Sequence, residues 1–287
     1  MAIVMLILMN LAVMASLYLV LFLLSAILGI KIGGDSIAGL LLMAAVFGFG
    51  GSFISLFMSK WMAKKSMGVE IIENPSNADE EWLLMTISKL SAKAGLKMPE
   101  VGIFEGAPNA FATGWNKNDA LVAVSTGLLE IMDKKEIEGV LAHEISHIKH
   151  GDMVTMTLMQ GVLNTFVIFI SRLLAGILTS NDDEEEESGE SFAYIAISFG
   201  LEIVFSIFAT AILMWFSRYR EFKADEGAVH LSGKEGIYYA LAKLGEIPKE
   251  QLAMPSDMKA FGIVGFLETI FASHPPIPER LKHIETL

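Results

Sequence analysis

The sequence predicts a mainly α-helical integral membrane protein, with four transmembrane helices carrying a cytoplasmic α+β domain. Three observations predict it. Four apolar stretches, residues 2–30, 36–58, 153–178 and 191–216, each exceed the ~20 residues that cross a ~30 Å hydrocarbon core. The 287 residues are 53% hydrophobic with a mean hydropathy of +0.52, above an ordinary soluble domain. Basic residues gather on one side of the spans. Lys60, Lys64 and Lys65 follow the second, Lys149 precedes the third, and Arg218, Arg220 and Lys223 follow the fourth. The 30–36 turn holds one lysine and the 180–190 loop none, so the positive-inside rule puts both termini and the soluble segments in the cytoplasm.

These boundaries divide the chain into residues 1–58 (spans one and two), 59–152 (soluble), 153–216 (spans three and four with a loop at 180–190) and 217–287 (soluble). The first apolar run has no basic start and no small-residue cleavage site, so it is read as a span rather than a cleaved signal. Arg172 and Glu202 break the apolar pattern of spans three and four, and a pair across the bundle is one way to shelter both. The net charge is −12, but seven acids fall in one run, Asp182, Asp183, Glu184 to Glu187 and Glu190. That run reads as a solvated loop facing outward. With no basic stripe, nucleic acid is not a partner. The chain has no cysteine, which excludes disulfides, thiolate metal sites and a cysteine nucleophile.

The soluble segment reads as mixed α and β. Apolar residues at helical spacing, with Asp79, Glu80 and Glu81 in the first turn, predict a helix over 78–94. Pro99 and Gly106 bracket a strand at 100–104. Residues 109–115 and 120–124 read as hairpin arms around the turn formers Asn116 to Asp119. A short helix at 126–132 follows. Asp133 then caps another helix, with Glu136 completing a capping box.

That last helix contains His143-Glu144-Ile145-Ser146-His147. Residues i and i+4 share a helical face, so both imidazoles reach one ion, and Glu144, about 100° round, can hold a water beside it. With 6 His and 33 Asp plus Glu in the chain, chance gives the pattern in about 1% of such compositions. The donors suit zinc with one position open for water. A third ligand must come from elsewhere. His150 lies on the same helix and closes a tetrahedron poorly. Glu221 and Asp225 offer a carboxylate pair at i and i+4, one to ligate and one to receive the far nitrogen of a histidine. The same two acids also read as a solvated pair balanced by Arg218 and Arg220. Height favours the first reading. His147 lies six residues before span three and Glu221 five after span four, so both stand roughly 8–9 Å beyond the spans if their helices run on unbroken.

The chain resembles the HtpX-type heat-shock membrane zinc metalloproteases, relatives of the CaaX prenyl endoproteases. The resemblance rests on His143-Glu144-x-x-His147, Arg220-Glu221-Phe222-x-Ala224-Asp225, the four spans and Ser273-His274-Pro275-Pro276. It covers nearly the whole chain, although the acidic loop is richer than that family leads one to expect. It implies a zincin-like (gluzincin) domain holding one Zn2+ per chain, with His143, His147 and Glu221 as ligands and Asp225 supporting them. It implies endoproteolysis of misfolded or damaged membrane proteins at the cytoplasmic side of a bacterial inner membrane. Glu144 is then the proton-transfer carboxylate. His274, held before two prolines and near Arg280, is the candidate donor to the tetrahedral oxyanion. An extended substrate would pair with an edge strand, and the small residues around Asn109, Ala110, Phe111 and Ala112, with Gly114, make that arm the candidate. Two other classes are weighed. A metal transporter or sensor would place its ligands within the spans. An inactive scaffold would have no use for Glu144.

Overall fold

The computed structural model describes residues 15, 17–29, 36–179, 192–246 and 273–287. Most of the first apolar run and the whole acidic loop lie outside these residues, as does the 30–36 turn save Ser36. Contacts divide the chain into two units, Met1–Ser55 with Thr157–Leu213, and Leu56–Met156 with Met214–Leu287.

The first unit is helical. It contains α1 (Leu17–Leu28), the larger part of α2 (Ile37–Ser66), most of α6 (Asp152–Thr179) and the first half of α7 (Phe192–Ser232). The last three are long and apolar enough to cross a membrane. Their outer faces carry exposed large apolar groups, among them Phe166, Phe192, Phe199 and Phe208. In water such surface would be costly, whereas lipid is its natural solvent. Arg172 Nε and Glu202 Oε1 lie 3.7 Å apart, so the two charged span residues face each other.

The second unit is α+β. Its strands β1 (Glu70–Ile71), β2 (Glu100–Phe104), β3 (Ala110–Asn116) and β4 (Asp119–Ser125) form one sheet in the order β1-β2-β4-β3. β2 and β4 run parallel, while β1–β2 and β3–β4 are antiparallel. The two-residue β1 escaped the sequence analysis because so short a segment shows no alternation. Central β4 is buried on both faces. Val122 and Val124 pack with Leu83, Ile87 and Leu90 of α3 (Ala78–Ala94) and with Leu141 and Ile145 of α5 (Lys134–His150). Leu121 and Ala123 pack with Val69 and Phe104 on the other side. Alternation with period two sends consecutive residues to opposite faces, and here both are covered. Between β4 and α5 lies the short α4 (Thr126–Ile131). Beyond α7, α8 (Lys234–Glu246) packs on α5 through Ile237, Ala240 and Leu241, and α9 (Ile277–Thr286) adds Ile284 to the core.

The helix starts follow local chemistry. Asn77 Oδ1 accepts from the backbone N–H of Asp79 and Glu80 at 3.0 and 2.8 Å, capping α3. Asp133 Oδ1 accepts from Glu136 N at 2.9 Å while Glu136 Oε2 accepts from Asp133 N at 2.8 Å, closing the capping box on α5.

The expectation that both ligand-bearing helices run on unbroken into their spans holds for one of them only. α7 is continuous from its apolar half through Glu221 to Ser232. α5 instead ends at Gly151, whose φ of 72° is left-handed, and α6 begins anew at Asp152. Glycine adopts that conformation without a Cβ penalty, so Gly151 turns the chain within one residue.

Candidate metal centre

The site is built wholly within the second unit. α5 supplies His143, Glu144 and His147, and the C-terminal half of α7 supplies Glu221 and Asp225. The two helices come close because their shared seam is small. Ala224, Ala228 and Ser146 are buried there, and a Cβ added at Gly227 would lie 2.4 Å from Ser146 Oγ. A larger residue at Gly227 would hold α7 away from α5.

The ligand atoms converge. His143 Nε2 and His147 Nε2 are 3.1 Å apart, His147 Nε2 and Glu221 Oε1 3.3 Å, and His143 Nε2 and Glu221 Oε2 3.6 Å. A tetrahedron with arms of 2.0–2.1 Å has edges of about 3.3–3.4 Å, so three donors at these spacings fit one zinc-sized ion. These three residues also form a group whose ligand atoms lie within 4.8 Å of one another. Glu221 Oε2 is buried and faces cationic or imidazole nitrogens only, with His274 Nδ1 at 2.8 Å, Arg280 at 3.3 Å and His143 Nε2 at 3.6 Å.

Each histidine is oriented by a carboxylate on its far nitrogen. His143 Nδ1 lies 2.9 Å from Asp225 Oδ1, and His147 Nδ1 lies 2.7 Å from Asp152 Oδ2. Both carboxylates are buried, and each is held by an arginine. Arg280 donates to both oxygens of Asp225, from Nε at 2.8 Å and from its terminal nitrogen at 2.6 Å. Arg220 pairs with Asp152. Sequence reasoning had Asp225 in view and missed Asp152. The i+5 offset from His147 has no meaning on a continuous helix. It acquires one only because Gly151 folds the chain back, and that turn was the available signal. Arg280 also lies 3.3 Å from Glu221 Oε2, so it ties its own segment to α7 at both acids.

The electrostatics are those of a site suited to a cation. Burial opposes charge on His147, but its bonds to Asp152 and Glu221 outweigh this and push its pKa up to about 10. Burial likewise works against Glu221, yet the surrounding imidazoles of His143, His147 and His274 hold it far below the usual carboxylate range. Asp225 is lowered in the same manner, against burial, by Arg280 and His143. Glu144 is the exception. Burial pushes it up, in favour of the protonated form.

His274 sits at the edge of the cluster, largely exposed, with Nδ1 2.8 Å from Glu221 Oε2. Its neighbour Ser273 accepts a hydrogen bond from Ser217 Oγ at 3.0 Å, which ties the segment to α7. β3 is at the sheet edge, paired on one side with β4 and with no strand on its other side among the described residues. Ala112 of β3 lines a cavity of about 200 Å³ together with His147, Glu221, Arg220, Met153 and Met156. Ala110 and Phe111 are half-buried on the same strand, and Asn109 precedes it, donating its N–H to Ser125 Oγ at 2.8 Å.

Comparisons with known proteins identify the family. The profile of peptidase family M48 matches residues 77–287. The chain is 52% identical over 284 residues to Protease HtpX of Tolumonas auensis, covering 97% of this chain and 96% of that protein. It is 53% identical over 266 residues to Protease HtpX of Shewanella frigidimarina, with 91% and 92% covered. The crystal structure of S. mikatae Ste24p superposes with a TM-score of 0.63 at 20% identity, over 94% of this chain and 67% of that one. The chain therefore belongs to peptidase family M48 and is a membrane metalloprotease of the HtpX type.

Proposed function

From membership of peptidase family M48, we propose that this chain is a zinc endopeptidase acting on misfolded or damaged membrane proteins at the cytoplasmic face of a bacterial inner membrane. The observation that carries the reading is the convergence of His143, His147 and Glu221 at tetrahedral spacing beside Glu144. When bound, zinc would supply Lewis acidity that activates water and polarises the scissile carbonyl. The chain's own residues do the rest. Glu144 accepts the proton of the attacking water and returns it to the leaving amine. Its raised pKa suits a group that must both hold and release a proton. His274 keeps its Nε2 for the substrate oxygen while Nδ1 leans on Glu221. The open edge of β3, with residues 109–112, takes the substrate in extended form through backbone hydrogen bonds, which demands little of its sequence. Basic residues at the inner span ends support a four-span topology with cytoplasmic termini.

Glu144→Gln tests the reading. The variant keeps its zinc and loses hydrolysis of casein. Retained cleavage would remove Glu144 from the chemistry. A transporter's metal flux would be indifferent to the change. The position of every ligand outside the apolar stretches already speaks against that alternative.

A further inference from the structure

The end of β3 carries a feature that the chemistry does not use. Trp115 is 43% exposed, although it lies on the strand proposed to hold substrate. Its ring lies 5.5 Å from that of Phe57, which is 60% exposed at the end of the apolar run of α2. One turn further along α2, Trp61 is 49% exposed, and Lys65 Nζ stands 5.9 Å from its ring centroid. Phe57, Trp61 and Lys65 are spaced i, i+4, i+8 and share one face of α2. Trp115 joins that face from the sheet.

The connection is fastened by charge. Lys60 bonds Glu100 Oε1 at 3.0 Å and also pairs with Asp119, and Lys64 Nζ lies 2.5 Å from Glu100 Oε2. Trp115 Nε1 donates to Asp119 Oδ2 at 2.5 Å. The β3–β4 turn is therefore tied to α2 at the level where its apolar run gives way to lysines. A headgroup layer is about 5–7 Å thick on each side of the hydrocarbon. The step from Phe57 to Trp61 is about 6 Å along the helix axis, so the aromatic face spans that layer. Aromatic rings beside lysines at the end of an apolar span are the composition of a membrane interface.

We propose that Trp115, with Phe57 and Trp61, lies in the headgroup layer of the bilayer that α2 crosses, and so holds the exposed end of β3 against the lipid surface. The occupant of this patch is lipid rather than a protein partner, because Phe57 closes the apolar run of α2 and Trp61, one turn on, stands beside Lys65, the pattern of a span end. The lipid contact itself does not depend on catalysis.

The test uses the full chain in phosphatidylcholine vesicles. Trp61→Phe, Trp82→Phe and Trp215→Phe together leave Trp115 as the reporter. A sister variant keeps Trp82 alone, on α3, as an aqueous reference. Lipids brominated at acyl carbons 6 and 7 should quench Trp115 by about twofold, and more than lipids brominated deeper, as interfacial aromatics require. Trp82 should respond to iodide in solution and not to brominated lipid. If Trp115 behaves as Trp82 does, or resists both quenchers, the proposal is wrong, and resistance to both would point to a protein partner on the patch. If the multiple variant does not fold, Trp115→Cys supplies a unique label site, since the chain contains no cysteine. A spin label there should be more accessible to oxygen than to a water-soluble nickel chelate. The reverse order would overturn the proposal.

Discussion

At His147 a proton and a metal ion compete for one nitrogen. In the metal-free protein Asp152 and Glu221 hold the imidazolium to about pH 10, against the opposing effect of burial. Because the shift is upward, the proton is fully bound at neutral pH and must leave when the metal arrives. Zinc affinity should therefore climb with pH between 6 and 9, by about tenfold per unit for each proton released. Titration in zinc buffers measures this, and a flat profile would mean that His147 is already neutral. The arginine-held carboxylates predict a second effect. Asp152→Asn and Asp225→Asn should each weaken zinc binding by about 10- to 100-fold while leaving the ligands in place. The sequence made His143, Glu144 and His147 legible because one helix fixes their spacing. Glu221 and Asp225 were legible as a pair on one face, though only resemblance and height separated ligands from solvated acids. Asp152 was not legible, since its contact with His147 passes through a left-handed turn that periodicity does not describe.

At the scale of elements, two glycines place the helices that carry these residues. Gly227→Val drives a side chain into Ser146 and should destabilise the fold by about 1–3 kcal/mol, with zinc lost alongside. Gly151→Ala forces a Cβ into left-handed backbone at a cost of about 1–2 kcal/mol, and should disturb His147 through Asp152. Thermal unfolding with zinc analysis checks both. If either variant matched the parent, the helix approach would not depend on that glycine. β3 makes a different prediction. Ala112→Pro removes a backbone donor from the sheet edge, and peptide cleavage should fall while zinc content stays at the parent level. Loss of zinc in that variant would make β3 a folding element rather than a binding one. Strands β2, β3 and β4 and helices α3 and α5 were legible from alternation, turn formers and caps. The break between α5 and α6 was not, because the residues beyond Gly151 resume a helical, apolar pattern at once.

For the whole molecule, the proposed topology fixes the side of the membrane on which the metal centre lies. Single cysteines introduced at Ser88 and at Ser188 of the acidic loop report it directly in a chain that has none of its own. A membrane-impermeant maleimide added to spheroplasts should label position 188 and spare position 88. The opposite pattern would invert the topology and put the site outside. The central claim is narrower, namely that two imidazoles and one carboxylate from two helices share a single zinc ion. X-ray absorption at the zinc edge of the purified full chain tests it most directly. It should show one zinc per chain, two imidazoles and a carboxylate oxygen at about 2.0–2.1 Å, with one further oxygen ligand and none of this in Glu221→Ala. A zinc shell unchanged in Glu221→Ala would contradict the assignment of the third ligand and with it the site as described.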